Sequence, residues 1–91
     1  MRMILHIEEA RVTGAHLLWL RFNDGTEKAV NLAPLLEGPV FEPLKDPAYF
    51  CRVVVDPVAG TVVWPNGADF APEALYNLPA HNGADPEQGA A

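Results

Sequence analysis

Disulfides are excluded at once, because the 91-residue chain carries a single cysteine, Cys51. A reactive thiolate would need an activating partner nearby, and the sequence shows none. Cys51 therefore reads as a small buried hydrophobe. Long apolar runs are also missing, as is the charged-then-apolar layout of a secretory leader, so the sequence predicts a cytoplasmic protein with no membrane partner. Basic residues are few. Six Lys and Arg face twelve Asp and Glu, a net charge of −6, and they are scattered singly from Arg2 to Arg52. That balance opposes the counterion release that drives nucleic-acid affinity, so no direct nucleic-acid partner is expected.

Catalytic and metal signatures are absent as well. His6, His16 and His81 show no ligand spacing, and Cys51 stands alone, so no metal or cofactor is expected. There is no phosphate-binding glycine loop, no dinucleotide fingerprint and no nucleophile elbow. Asp24 and Asp69 could pair as acid and base, but carboxylates beside glycines in turns are usually turn formers. The sequence predicts no enzyme and no catalytic residue.

What the chain does contain is enough apolar material to fold. Hydrophobic residues make up 49% and charged ones 20%, which argues against wholesale disorder and for one small domain. Residues 1–78 read as a single α+β domain. The tail 79–91, rich in Ala, Gly, Asp and Pro, reads as disordered.

The pattern along residues 1–78 predicts about five strands in one mainly antiparallel sheet, built from two hairpins, with a short helical crossover and a short C-terminal helix. Met1 to Val12 alternates as a strand that Thr13-Gly14 breaks. Ala15 to Phe22 is a second strand, with Leu18, Leu20 and Phe22 on one face and Leu17, Trp19 and Arg21 on the other. The partly apolar second face calls for cover by the C-terminal segment or by another subunit. Asp24-Gly25 is the strongest hairpin signal and makes Thr26 to Leu32 an antiparallel neighbour, with Val30 and Leu32 inward. Pro34, Pro39, Pro43 and Pro47 then forbid a long helix, and Leu35, Leu36, Val40, Phe41 and Leu44 are spaced to reach the sheet. Asp46-Pro47 reads as a helix cap and first turn. Val53 to Val55 and Thr61 to Trp64 form the second hairpin.

The most constrained stretch is Trp64 to Tyr76. Pro65 stops a strand, Asn66-Gly67 turns, and Pro72 opens a short helix carrying Leu75 and Tyr76 toward Trp64 and Phe70. Asp69 is placed to cap that helix or to hold the loop by an Asx-turn. The plainer reading is that the loop buries Trp64. The functional reading makes Trp64, Asn66, Gly67, Asp69 and Tyr76 a binding surface, because loops on rigid scaffolds often carry function.

Phe22-Asn23-Asp24-Gly25, the run Pro39 to Phe50, Trp64-Pro65-Asn66-Gly67-Ala68-Asp69, Pro72 and Leu75-Tyr76 together resemble the bacterial family called domain of unknown function 2442. The resemblance covers roughly residues 1 to 78. It implies a small α+β domain, sometimes fused to a helix-turn-helix region and often encoded beside a second small protein in a toxin–antitoxin-like arrangement. No helix-turn-helix pattern is read in residues 79–91, so no direct route to DNA is expected. Asn31 stands where members commonly carry Asp, so a charge-dependent role there does not carry over.

Three functions compete. A non-enzymatic interaction module, in the form of the antitoxin-like half of a two-protein system, would use the acidic surface to steer a second small, basic protein. A homo-oligomer would pair through an exposed sheet edge or through Leu17 and Trp19. A small-molecule-binding regulatory domain would use the Trp64 to Tyr76 loop. The first is the expected function, with self-association compatible with it.

Overall fold

Leu17–Phe22 (β2) is the middle strand of a three-stranded sheet, and its strict alternation points every second side chain the same way. Leu18, Leu20 and Phe22 are fully buried, whereas Leu17, Trp19 and Arg21 are half-buried on the opposite face, as expected. The computed structural model describes residues 4–81. Met1 to Met3, expected to open the first strand, lie outside that range, as do residues 82–91 of the expected tail.

β2 pairs antiparallel with Ile7–Gly14 (β1) on one side and with Glu27–Asn31 (β3) on the other. Val54–Asp56 (β4) and Thr61–Val63 (β5) form a second antiparallel sheet. Two sheets thus replace the single sheet expected. A backbone hydrogen bond from Ile7 N–H to the Gly60 carbonyl, at 2.8 Å, meets the turn before β5 and does not extend into a ladder. Both sheets contribute to one core: Ile7, Leu18, Leu20, Phe22 and Val30 from the first meet Val62 from the second, with Trp64 beside it.

The first strand starts later than its alternation suggested. Opposite Leu5 and His6 the chain is already turning, so Asn23 takes the place of a neighbouring strand. Its side chain donates to the Ile4 carbonyl at 2.6 Å and accepts from His6 N–H at 3.0 Å. Thr13-Gly14 does not end the strand either. The register is irregular between Val12 and Gly14, and Ala15-His16 make the turn. His16 holds φ 61, tolerable for a short polar-tipped side chain that also bonds the Lys45 carbonyl at 2.8 Å.

Between β3 and β4 the chain makes two 3₁₀ turns, Ala33–Leu35 and Glu42–Lys45, and one α-helical turn, Pro47–Phe50 (α1). Asp46 caps α1 by accepting from Ala48 N–H, with Pro47 in the first turn. Leu36 and Leu44 are buried, but Leu35 and Val40 are not, contrary to expectation. A 3₁₀ turn carries few residues inward, and each proline redirects the chain before a second apolar face can form. Cys51 is likewise exposed rather than buried, because the core-facing position of that turn is taken by Phe50.

The C-terminal helix is Pro72–Tyr76 (α2). Lys28 holds its end to the sheet. The ammonium reaches the Tyr76 and Leu78 carbonyls, each at 2.5 Å, where a cation also favours the helix dipole. Of the expected tail, Pro79 to His81 are described, and His81 N–H donates to the Ala29 carbonyl at 2.7 Å.

Candidate functional site

The loop after β5 is built like the loop after β2. In each an aromatic residue opens the loop and its N–H receives no strand partner: Phe22 N–H bonds the Thr26 carbonyl and Trp64 N–H bonds the Ala68 carbonyl. Glycine N–H then returns to the aromatic carbonyl, Gly25 to Phe22 and Gly67 to Trp64, with both glycines at positive φ near 90. An Asx side chain completes each loop. Asp24 Oδ1 accepts from Thr26 N–H at 2.9 Å, and Asn66 Oδ1 from Ala68 N–H at 3.1 Å. Three-residue loops with a left-handed glycine suit tightly twisted hairpins, which explains why both local sequences read as turns.

The remaining Asx atoms are spent differently. Asn66 Nδ2 donates to the Val40 carbonyl at 2.9 Å, clasping the proline-rich connection to the loop. Phe41 stacks on Phe70 alongside, with ring centroids 4.9 Å apart. Asp24 Oδ2 accepts from the Tyr76 hydroxyl at 2.6 Å. That bond, and then the Thr26 N–H, hold the Asp24 carboxyl below the ordinary carboxylate range. A carboxyl lowered on folding stabilises the fold above its unfolded pKa, and the contribution is lost as pH falls through the folded value. Tyr76→Phe is expected to raise the Asp24 titration midpoint toward the ordinary value in a carboxyl NMR titration. An unmoved midpoint would mean that the hydroxyl is not the cause.

The five sequence-predicted binding residues therefore fall in three environments. Trp64 is buried, and its indole N–H donates to the Phe50 carbonyl at 2.9 Å. Asn66, Gly67 and Asp69 lie exposed on the loop. Tyr76 does not approach Trp64 and Phe70; its ring meets Phe22 edge-on and its hydroxyl meets the other loop, because one helical turn points Leu75 and Tyr76 to different sides. Asp69 neither caps α2 nor forms the Asx-turn. Ala71 is the cap position, without a side-chain bond, and Asp69 serves through its backbone in an antiparallel bridge to Val63. That bridge positions it as a strand residue, too far extended to turn back onto the helix.

The loop thus presents Asn66 and Asp69 beside Val40, Phe41 and Phe70. Val40 is 52% exposed, and Glu37, Glu42 and Asp69 around it are exposed acids. Sequence reasoning turned Val40 and Phe41 toward the sheet; Phe41 is half-buried against the core, as is Phe70, whereas Val40 is surface, and the clasp from Asn66 shows where the connection lies. Asn66→Ala is expected to destabilise by about 1–2 kcal/mol, since both side-chain bonds are lost. Equilibrium urea unfolding measures it.

Among the described residues there is no enclosed pocket, no group of three or more His, Cys, Asp or Glu placed to hold a metal, and no helix long and apolar enough to cross a membrane. No curated protein and no solved structure matches the chain. A family model described as "Protein of unknown function (DUF2442)" matches residues 7–80. The match spans both twin loops, the proline-rich connection and α2, and by it the chain belongs to the DUF2442 family.

Proposed function

We propose that this protein is a cytoplasmic, non-enzymatic protein-interaction module whose partner is a second small, basic protein. The observation that carries the reading is the exposed Val40 side chain beside the half-buried stacked rings of Phe41 and Phe70, clasped to the loop by Asn66, with the exposed acids Glu37, Glu42 and Asp69 close to these residues in sequence. Apolar residues at the centre of an interface supply affinity, and charges at its rim steer encounter and choose the partner's sign. The surplus of acids over the whole chain acts in the same direction at longer range. The antitoxin-like half of a two-protein system is the form of module that the family resemblance suggests.

Asp69 gives the reading a sharp test, because its side chain has no hydrogen-bond partner among the described residues. Asp69→Lys is expected to leave the melting curve nearly unchanged and to weaken partner binding by on the order of tenfold, about 1.4 kcal/mol. The partner is captured by affinity purification of the tagged protein from its native cells, with mass spectrometry and light scattering. One small basic protein in stoichiometric amount, lost with Val40→Asp and Asp69→Lys, supports the proposal. Recovery of the chain alone would overturn it.

A further inference from the structure

The hydrogen bonds that flank the β2–β3 ladder reveal which way β3 faces. Leu32 N–H bonds the His16 carbonyl and Phe22 N–H bonds the Thr26 carbonyl. With the register Leu18 to Val30 and Leu20 to Lys28 between them, the even-numbered residues of β3 exchange bonds with β2. Glu27, Ala29 and Asn31 therefore point their amides and carbonyls away from the sheet. β3 is an edge strand, and unpaired edges are templates for another strand.

Among the described residues, one outward group has a partner. The Ala29 carbonyl accepts from His81 N–H, at the end of a strap that Lys28 holds by the Tyr76 and Leu78 carbonyls. The strap is a poor strand. Pro79 has no N–H to give, and no other backbone hydrogen bond joins residues 77–81 to β3 among the described residues.

We propose that the β3 edge is a self-pairing interface, on which a second copy of this chain lays its own β3 antiparallel when the strap at His81 lets go. The sequence of the strand chooses this occupant. With the two-fold axis at Ala29, Ala29 meets Ala29 of the second copy and Glu27 meets Asn31, so a carboxylate faces an amide on both sides of the axis. All three outward residues are then paired. Moving the axis to Glu27 or Lys28 sets like charges directly opposite, which is unfavourable across strands. Moving it toward Asn31 brings Ala33 and Pro34 into the ladder, where Ala33 N–H is already held by Asn31 Oδ1 at 3.0 Å and proline has no donor. On the outer face the small Ala29 side chains at the axis would bring the Trp19 rings of both copies alongside, since Trp19 is the cross-strand partner of Ala29. The partner surface around Val40 uses other residues, and the two can fail independently.

The test compares the full chain with His81→Pro, which deletes the strap's donor, and with a chain ended at Leu78. Light scattering with size-exclusion chromatography reads the mass over a concentration series. Both variants are expected to form dimers at lower concentration than the full chain, by on the order of tenfold. Ala29→Glu added to either should restore the monomer, because it sets two carboxylates on the axis without touching a backbone donor. Circular dichroism confirms that each variant is folded. Should the shortened chain fail to fold, His81→Pro alone decides. A His81→Pro protein that stays monomeric at every concentration where it is folded overturns the proposal, as does any assembly that Ala29→Glu leaves intact.

Discussion

Trp64→Ala is expected to destabilise the domain by about 3–5 kcal/mol. Small domains hold only about 5–15 kcal/mol in total, so the variant should be largely unfolded or close to it at 37 °C. Trp64 is 2% exposed and touches Phe50 and Phe70, with ring centroids 5.5 and 5.9 Å away. Its removal empties the place where β5, the loop and the α1 turn meet. It also leaves the Phe50 carbonyl without the indole donor. Trp64→Phe separates the two effects. Most of the apolar volume stays and the indole hydrogen bond goes, so a loss of about 0.5–1.5 kcal/mol is expected, because the Phe50 carbonyl keeps the Val53 N–H at 3.3 Å. Far-UV circular dichroism during urea unfolding measures both. A Trp64→Phe protein as stable as the parent would mean that the Val53 N–H satisfies Phe50 by itself, and that packing alone holds the loop.

The second large effect is expected at Gly60. This residue sits at φ 72, where a side chain costs about 1–2 kcal/mol in strain. A Cβ there would also lie 2.9 Å from the Cβ of His6, an atom that cannot move without its backbone. That backbone belongs to the junction of the two sheets, because the neighbouring Ile7 N–H bonds the Gly60 carbonyl. Gly60→Ala should therefore cost more than strain alone, about 2–4 kcal/mol once the displaced packing is included. Gly25→Ala is the control. Gly25 is also at positive φ, but nothing lies within 4 Å of the added Cβ, so only strain is expected. Equal losses in the two variants would show that the approach to His6 relaxes freely and that the sheet junction is soft.

Both effects arise from contacts between segments remote in sequence, which no local pattern encodes. Local patterns were legible wherever one residue type meets one local requirement. The alternation in β2 placed Leu18, Leu20 and Phe22 inward correctly, and Asp24-Gly25 made β2 and β3 neighbours. Asp46-Pro47 was recognisable as a helix start because cap and proline act within a few residues of each other. The five strands emerge near their expected positions for the same reason, and the resemblance in the twin loops and the proline-rich run led to the family that matches residues 7–80.

The candidate site was legible as a stretch and not as a surface. Asn66, Gly67 and Asp69 are exposed together on the loop, but Trp64 is core and Tyr76 serves the opposite loop. Asp69 was credited with a capping role that its neighbours in sequence allowed and its extended backbone forbids. Asn66, by contrast, gained a second role from Val40, a residue far away in the chain.

The alternation of strands, the places where the chain must turn, the acidic balance and the family are all written in the order of residues. Those properties depend on spacing, on backbone freedom and on charge, none of which needs a distant neighbour. Tertiary structure alone decided that the strands divide into two sheets, that Val40 stays outside while Leu36 and Leu44 enter, and that Lys28 rather than a capping residue secures α2. Each of these turns on which remote carbonyl, ring or methyl group happens to lie within reach, and that is set only when the whole core has closed.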